Sequence, residues 1–120
     1  MAVQTDAEDE LYRRIFSYHI VKDGDGVRIS SSAFTNRSGL PDPHCSVYLA
    51  RLTSAAAVLA AGLPNLHLAG LLARTPLTMG LSVEHDNVPG DHVHCVIVGL
   101  TTKQECAELA SAAYPVVVSE

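Results

Sequence analysis

Apolar residues recur at every second position in several short stretches, the period of a strand that buries one face. Phe16, Tyr18 and Ile20 form the first such set, with residues 11–15 as a short lead-in element. Asp23-Gly24-Asp25-Gly26 follows, and its glycines supply the positive φ that a tight hairpin requires. Residues 27–30 then read as the returning strand. Further strands are expected over 46–50, 79–84 and 92–100, the last carrying a Val96-Ile97-Val98 run that implies burial on both faces. Residues 116–118 add a final short one.

Helical signals lie between these stretches. Thr53 is placed to cap an alanine-rich helix over 54–61, with Gly62 as the left-handed C-terminal cap. Asn65 opens a second helix over 66–74 that stops before Pro76, although the apolar run 66–73 also fits a buried strand. Thr102-Lys103-Gln104-Glu105 is a capping box, in which the threonine and the glutamate each satisfy the other's free backbone N–H. It starts a helix over 103–113, ended by Tyr114-Pro115. Residues 31–45 are rich in Ser, Asn, Gly, Pro and Asp and read as a long loop, with Phe34 pinned to the core. Residues 87–91 read as a turn. The elements describe a single α+β (or α/β) domain over 11–120, with about five strands in a mixed sheet and two or three helices. Residues 1–10 precede it as an acidic, flexible N-terminus.

Composition narrows the classes. The chain has 120 residues, a hydrophobic fraction of 48 % and a charged fraction of 18 %, which excludes a disordered tail and a coiled coil. Its formal charge of −5 argues against a duplex nucleic acid as partner, because phosphate neutralisation needs a basic face. Part of that charge is local: Asp6, Glu8, Asp9 and Glu10 hold four of the thirteen acids. Neither apolar stretch, 55–63 or 66–73, approaches the roughly 20 residues of a membrane span. A cytoplasmic location is the expectation. Three cysteines (Cys45, Cys95, Cys106) with no CxxC spacing fit reduced, buried thiols better than a disulfide framework.

Two clusters carry candidate chemistry. His92 and His94 are two apart on a predicted strand and so share a face, with His85 across the turn. Imidazoles in that arrangement make a candidate zinc site of His85, His92 and His94. Arg28, followed by Ser30, Ser31 and Ser32, sets a guanidinium beside three hydroxyls at a strand end. Such donors hold phosphates and carboxylates. No GxSxG elbow surrounds these serines, and nothing marks one as a nucleophile. Asp23-Gly24-Asp25-Gly26 echoes a calcium loop, but Phe34 stands where the twelfth-position acid is needed.

Arg28-x-Ser30-Ser31-x-Ala33-Phe34, then Ser46-Val47, then Pro89-x-Asp91-x-x-His94-x-x-Ile97-x-Gly99, resembles a family of small uncharacterised bacterial proteins. That resemblance spans most of residues 11–113 and implies no particular activity. Tyr12-Arg13-Arg14-Ile15 and Val47-Tyr48-Leu49-Ala50 are also similar to segments of RES-type domains, which have an ADP-ribosyltransferase-like fold. Those domains carry a glutamate at the helix that follows, whereas residues 52–62 contain no acid, so the likeness extends to architecture and not to NAD cleavage.

The functional expectation is a polar pocket for an anionic small molecule, a nucleotide among the candidates, lined by Arg28, Ser30, Ser31, Ser32, His92 and His94. The alternative is an accessory or immunity-like protein that works by contact with a protein partner, the acidic N-terminus being the first candidate contact. The zinc site is a third reading. Oligomeric state leaves no signature in the chain.

Overall fold

Glu10–Ile15 (β1) is the strand around which the molecule is organised. It pairs antiparallel on one side with His44–Leu49 (β4) and on the other with His67–Leu72 (β5). The computed structural model describes residues 6–24, 26–36, 38–60, 66–85 and 94–116, with residue 23 by its backbone alone. Ser82–His85 (β6), His94–Val98 (β7) and Tyr114–Val116 (β8) complete a six-stranded sheet in the order β6-β7-β4-β1-β5-β8. Every neighbouring pair is antiparallel, so the sheet is not mixed. Ile20–Asp23 (β2) and Gly26–Ile29 (β3) form a separate hairpin, with Gly24 at φ 63° in its turn as the glycine pattern predicted. Among the described residues there are three α-helices: Ala55–Ala60 (α1), Arg74–Thr78 (α2) and Lys103–Ala112 (α3). None is long and apolar enough to cross a membrane.

Alternation assigns the faces. Cys45, Val47 and Leu49 of β4 and Cys95 and Ile97 of β7 are buried, and all belong to one core with Leu11, Ile15 and Phe34. The hairpin, the short 3-10 turn Ser31–Phe34 and α3 cover that inner face. Cys106, Leu109 and Ala110 of α3 seal it, and the Cys106 thiol donates to the Phe34 carbonyl at 3.4 Å. Burying these side chains contributes roughly 1.5–3 kcal/mol for each large one. The outer face carries Tyr12, Tyr48, His94 and Tyr114 in neighbouring register across four strands, with Gly70 between the last two tyrosines of the row.

Several sequence expectations are corrected here. The first strand lies at 10–15, and Phe16 to Ile20 passes instead through a 3-10 turn, Ser17–His19. Residues 67–72 are a strand and not a helix. Leu68, Ala69, Gly70 and Leu71 are all buried, because β5 is a central strand covered on both faces, which gives the continuous apolar run. Ser54, not Thr53, caps α1, its hydroxyl accepting from the Ala57 N–H at 3.1 Å. Pro76 sits in the first turn of α2 and does not end an element, since a first-turn proline loses no intrahelical bond. Of the run Val96-Ile97-Val98, Ile97 alone is fully buried. Gly62, Asn65 and the turn at 87–91 lie outside the described residues.

The N-terminal acids are engaged within the fold. Asp9 is only 9 % exposed, pairs with the Arg51 guanidinium at 2.9 Å, and accepts from the Asp6 N–H at 2.7 Å. Glu8 pairs with Arg74, and Glu10 accepts from the Tyr114 hydroxyl. The backbone follows suit, with Ala73 and Arg74 donating to the carbonyls of Asp9 and Ala7. Asp9 is thus packed against the fold and is not a freely solvated acid.

Candidate functional site

The serine cluster of the sequence forms the 3-10 turn Ser31–Phe34. Ser30 caps it, accepting from the Ser32 N–H at 3.3 Å, and the two hydroxyls lie 2.9 Å apart. Among the described residues, three recesses open around this turn. One of about 290 Å³ holds Arg28 and Ser31 against Ala107, Ala110 and Ser111 of α3. One of about 200 Å³ lies between Ser31, Ser32, Thr35 and Lys103. The largest, about 310 Å³, has Ser32, Thr35 and Asn36 on one wall and Arg13, Tyr18 and His19 among the facing residues.

Arg28 and the serines are therefore neighbours, as the sequence suggested, but they divide between different hollows. His94 does not join them. It stands opposite Tyr48 in the β4–β7 ladder, and its ring meets the Tyr48 ring edge-on at 5.3 Å between centroids. Tyr48 alternates with Val47 and Leu49, which point into the core, so His94 lies on the outer face. Arg28 and Ser31 lie on the α3 side. A single hollow shared by Arg28, the serines and His94 is not formed, because the sheet stands between them.

The zinc reading meets the same obstacle. In the β6–β7 ladder His85 stands opposite Cys95, an inner-face residue, whereas His94 is its outer-face neighbour. Side chains on opposite faces of a sheet do not converge on one ion. His92 lies outside the described residues. Among those described, no three His, Cys, Asp or Glu residues come within reach of one metal ion.

In the largest of these recesses the lining arginines are Arg13 and Arg14, not Arg28. Arg13 leaves β1 on the inner face, where its Nε donates to the Ala33 carbonyl at 2.6 Å and an Nη to the Ser46 carbonyl at 2.8 Å. The guanidinium thereby ties β1, the serine turn and β4 together, and lies 5.7 Å from the Phe34 ring centroid. Both bonded partners are neutral carbonyls, so its positive charge is not cancelled by them. Arg14, next along the strand, is held by the Val58 carbonyl at 2.9 Å and stacks on Tyr48 at 4.6 Å.

The other wall is rich in donors. Asn36 Oδ1 accepts from the N–H groups of Ser38 and Leu40, which leaves its amide NH₂ for a ligand. His19 is buried, and its Nδ1 accepts from the Phe16 N–H at 3.1 Å, which puts the ring proton on Nε2. Burial, and secondarily the charge of Arg13, push its pKa below the usual value of 6.5, so the ring is neutral at pH 7. Thr35 donates its own hydroxyl proton to the Ser32 carbonyl at 2.8 Å.

No family model, curated protein or solved structure matches this chain. The resemblances noted from the sequence rest on their own residues.

Sequence reasoning missed Arg13, Asn36 and His19 as site residues. The pair Arg13-Arg14 within an apolar strand was the available signal, since charges inside a central strand need partners.

Proposed function

We propose that this chain is a binding module for an anionic small molecule, held in the 310 Å³ recess beside the serine turn. One observation carries the reading. In a chain of net charge −5, the described residues lining this recess include no carboxylate, and Arg13 brings to it a guanidinium whose two bonded partners are neutral. The amide of Asn36, the hydroxyl of Ser32 and the Nε2–H of His19 supplement that charge with neutral donors, the chemistry that holds a phosphate or carboxylate. The volume is that of a small ligand site. Ser32 comes from the cluster singled out in the sequence, while Arg13 takes the role expected of Arg28.

The test is thermal unfolding of the full chain against inorganic phosphate, pyrophosphate and AMP, with sodium chloride as the ionic-strength control. A ligand that binds only the folded state raises the midpoint with concentration. The expectation is a saturable rise with at least one of the three anions. Ser32→Asp, which adds a carboxylate at an exposed position, abolishes it, and Arg28→Ala leaves it unchanged. Absence of any saturable rise overturns the reading, as does loss of the rise in Arg28→Ala with retention in Ser32→Asp.

A further inference from the structure

We infer that the anion carries a planar ring, and that it is a single nucleoside monophosphate whose base extends the stack of Phe16 and Tyr18. This rests on the anion-binding reading above and names the class of ligand. The two rings are nearly parallel, 7° apart in plane with centroids separated by 5.5 Å, and both line the recess that holds Arg13 and Asn36. Tyr18 is 69 % exposed and Phe16 45 %. Side by side they form one exposed aromatic patch, the kind of surface that interaction sites use.

These rings are nonetheless held. His19 abuts Tyr18 edge-on at 4.3 Å between centroids, and His19 is itself fixed by its bond from the Phe16 N–H. The 3-10 geometry of Ser17–His19 keeps all three on one short turn, and the Ser30 N–H anchors that turn by donating to the His19 carbonyl at 2.7 Å. An ordered, exposed stack loses little freedom when a further ring is added, and any nucleobase offers a face to it. Arg13, fixed by two carbonyls, and the Asn36 amide supply the phosphate end of the same recess.

A mononucleotide fits better than a strand. A net charge of −5 repels a polyanion, whose affinity depends on many phosphate contacts. The recess of about 310 Å³ is served by one guanidinium, that of Arg13, which suits a single phosphate group.

The experiment is calorimetric titration of the full chain with AMP, adenosine, ribose 5-phosphate and a ten-nucleotide oligodeoxyadenylate. AMP is expected to bind roughly tenfold or more tightly than ribose 5-phosphate, the increment that stacking one base supplies. Tyr18→Ala removes that margin, so that AMP and ribose 5-phosphate bind alike, while Tyr18→Phe keeps it. Tyr18 is mostly in solvent, so these variants fold, which far-UV circular dichroism checks. Equal affinity for AMP and ribose 5-phosphate overturns this inference and leaves the anion reading standing. Adenosine binding alone, with neither phosphate nor ribose 5-phosphate bound, overturns the anion reading. Tighter binding of the oligonucleotide than of AMP overturns the single-nucleotide assignment.

Discussion

The Tyr114 ring lies across Gly70. The two residues stand opposite each other in the β5–β8 ladder, on the outer face, and the tyrosine hydroxyl reaches on to the Glu10 carboxylate of β1. Burial, then the bond to Glu10 and its charge, raise the Tyr114 phenol above its ordinary pKa, so it stays a donor throughout the neutral range. A Cβ at position 70 would sit 2.7 Å from Cζ of that ring. The requirement for glycine here is therefore one of space between strands, as Gly70 does not adopt a positive φ.

Gly70→Ala is expected to destabilise the fold by about 1–3 kcal/mol, the usual range for overpacking a filled site. The ring must swing off the sheet, and its bond to Glu10 goes with it. Chemical denaturation of the double variant Gly70→Ala/Tyr114→Ala supplies the check. In the Tyr114→Ala background the alanine at 70 should add little further loss. An equal loss in both backgrounds would show that the ring is not the obstacle.

Acid stability should depend on His19. Its pKa is lower in the folded chain than the ordinary 6.5, through burial and then through Arg13. Above pH 6.5 the ring is neutral in both states and makes no difference. Below it, the unfolded chain takes up a proton that the folded chain refuses, so stability falls with pH until the folded value is passed. His19→Asn keeps an acceptor near the Phe16 N–H and removes the titration. Its unfolding midpoint should change less steeply between pH 6.5 and 5 than that of the parent chain. Parallel slopes would refute the assignment. The Glu105 carboxylate, held below its usual range first by the Thr101 N–H and also by that of Thr102, acts only under pH 4.5 and leaves this window clear.

All three thiols should be silent in the native protein. Cys45 and Cys95 have no exposed surface and Cys106 has 1 %. Burial pushes the Cys45 thiol up to about 11, with Arg13 offsetting part of the rise, and burial likewise raises Cys106. A thiol must be ionised and reachable to react. A chromogenic disulfide reagent at pH 8 is expected to label none before unfolding and three afterwards in guanidinium. Rapid labelling of even one thiol in the native chain would contradict the packing described.

The amino-acid order alone determined the elements whose signals are local. Thr102 and Glu105 start α3 as a reciprocal cap, with the Thr102 hydroxyl accepting from the Glu105 N–H at 3.1 Å. Gly24 turns the hairpin, and Phe34 is buried without exposed surface. Each depends on residues a few positions apart, where period, capping and turn chemistry act. Tertiary structure decided the remainder. Residues 67–72 became a strand because β1 pairs with them along their whole length and β8 pairs with the other edge, which outweighs local preference. His85 and His94 parted to opposite faces because ladder register, set between strands, fixes which alternate residues point inward. Arg13, Asn36 and Tyr18 came to share one recess because a guanidinium in a central strand had to find carbonyl partners, and those of Ala33 and Ser46 lie 20 and 33 residues along the chain.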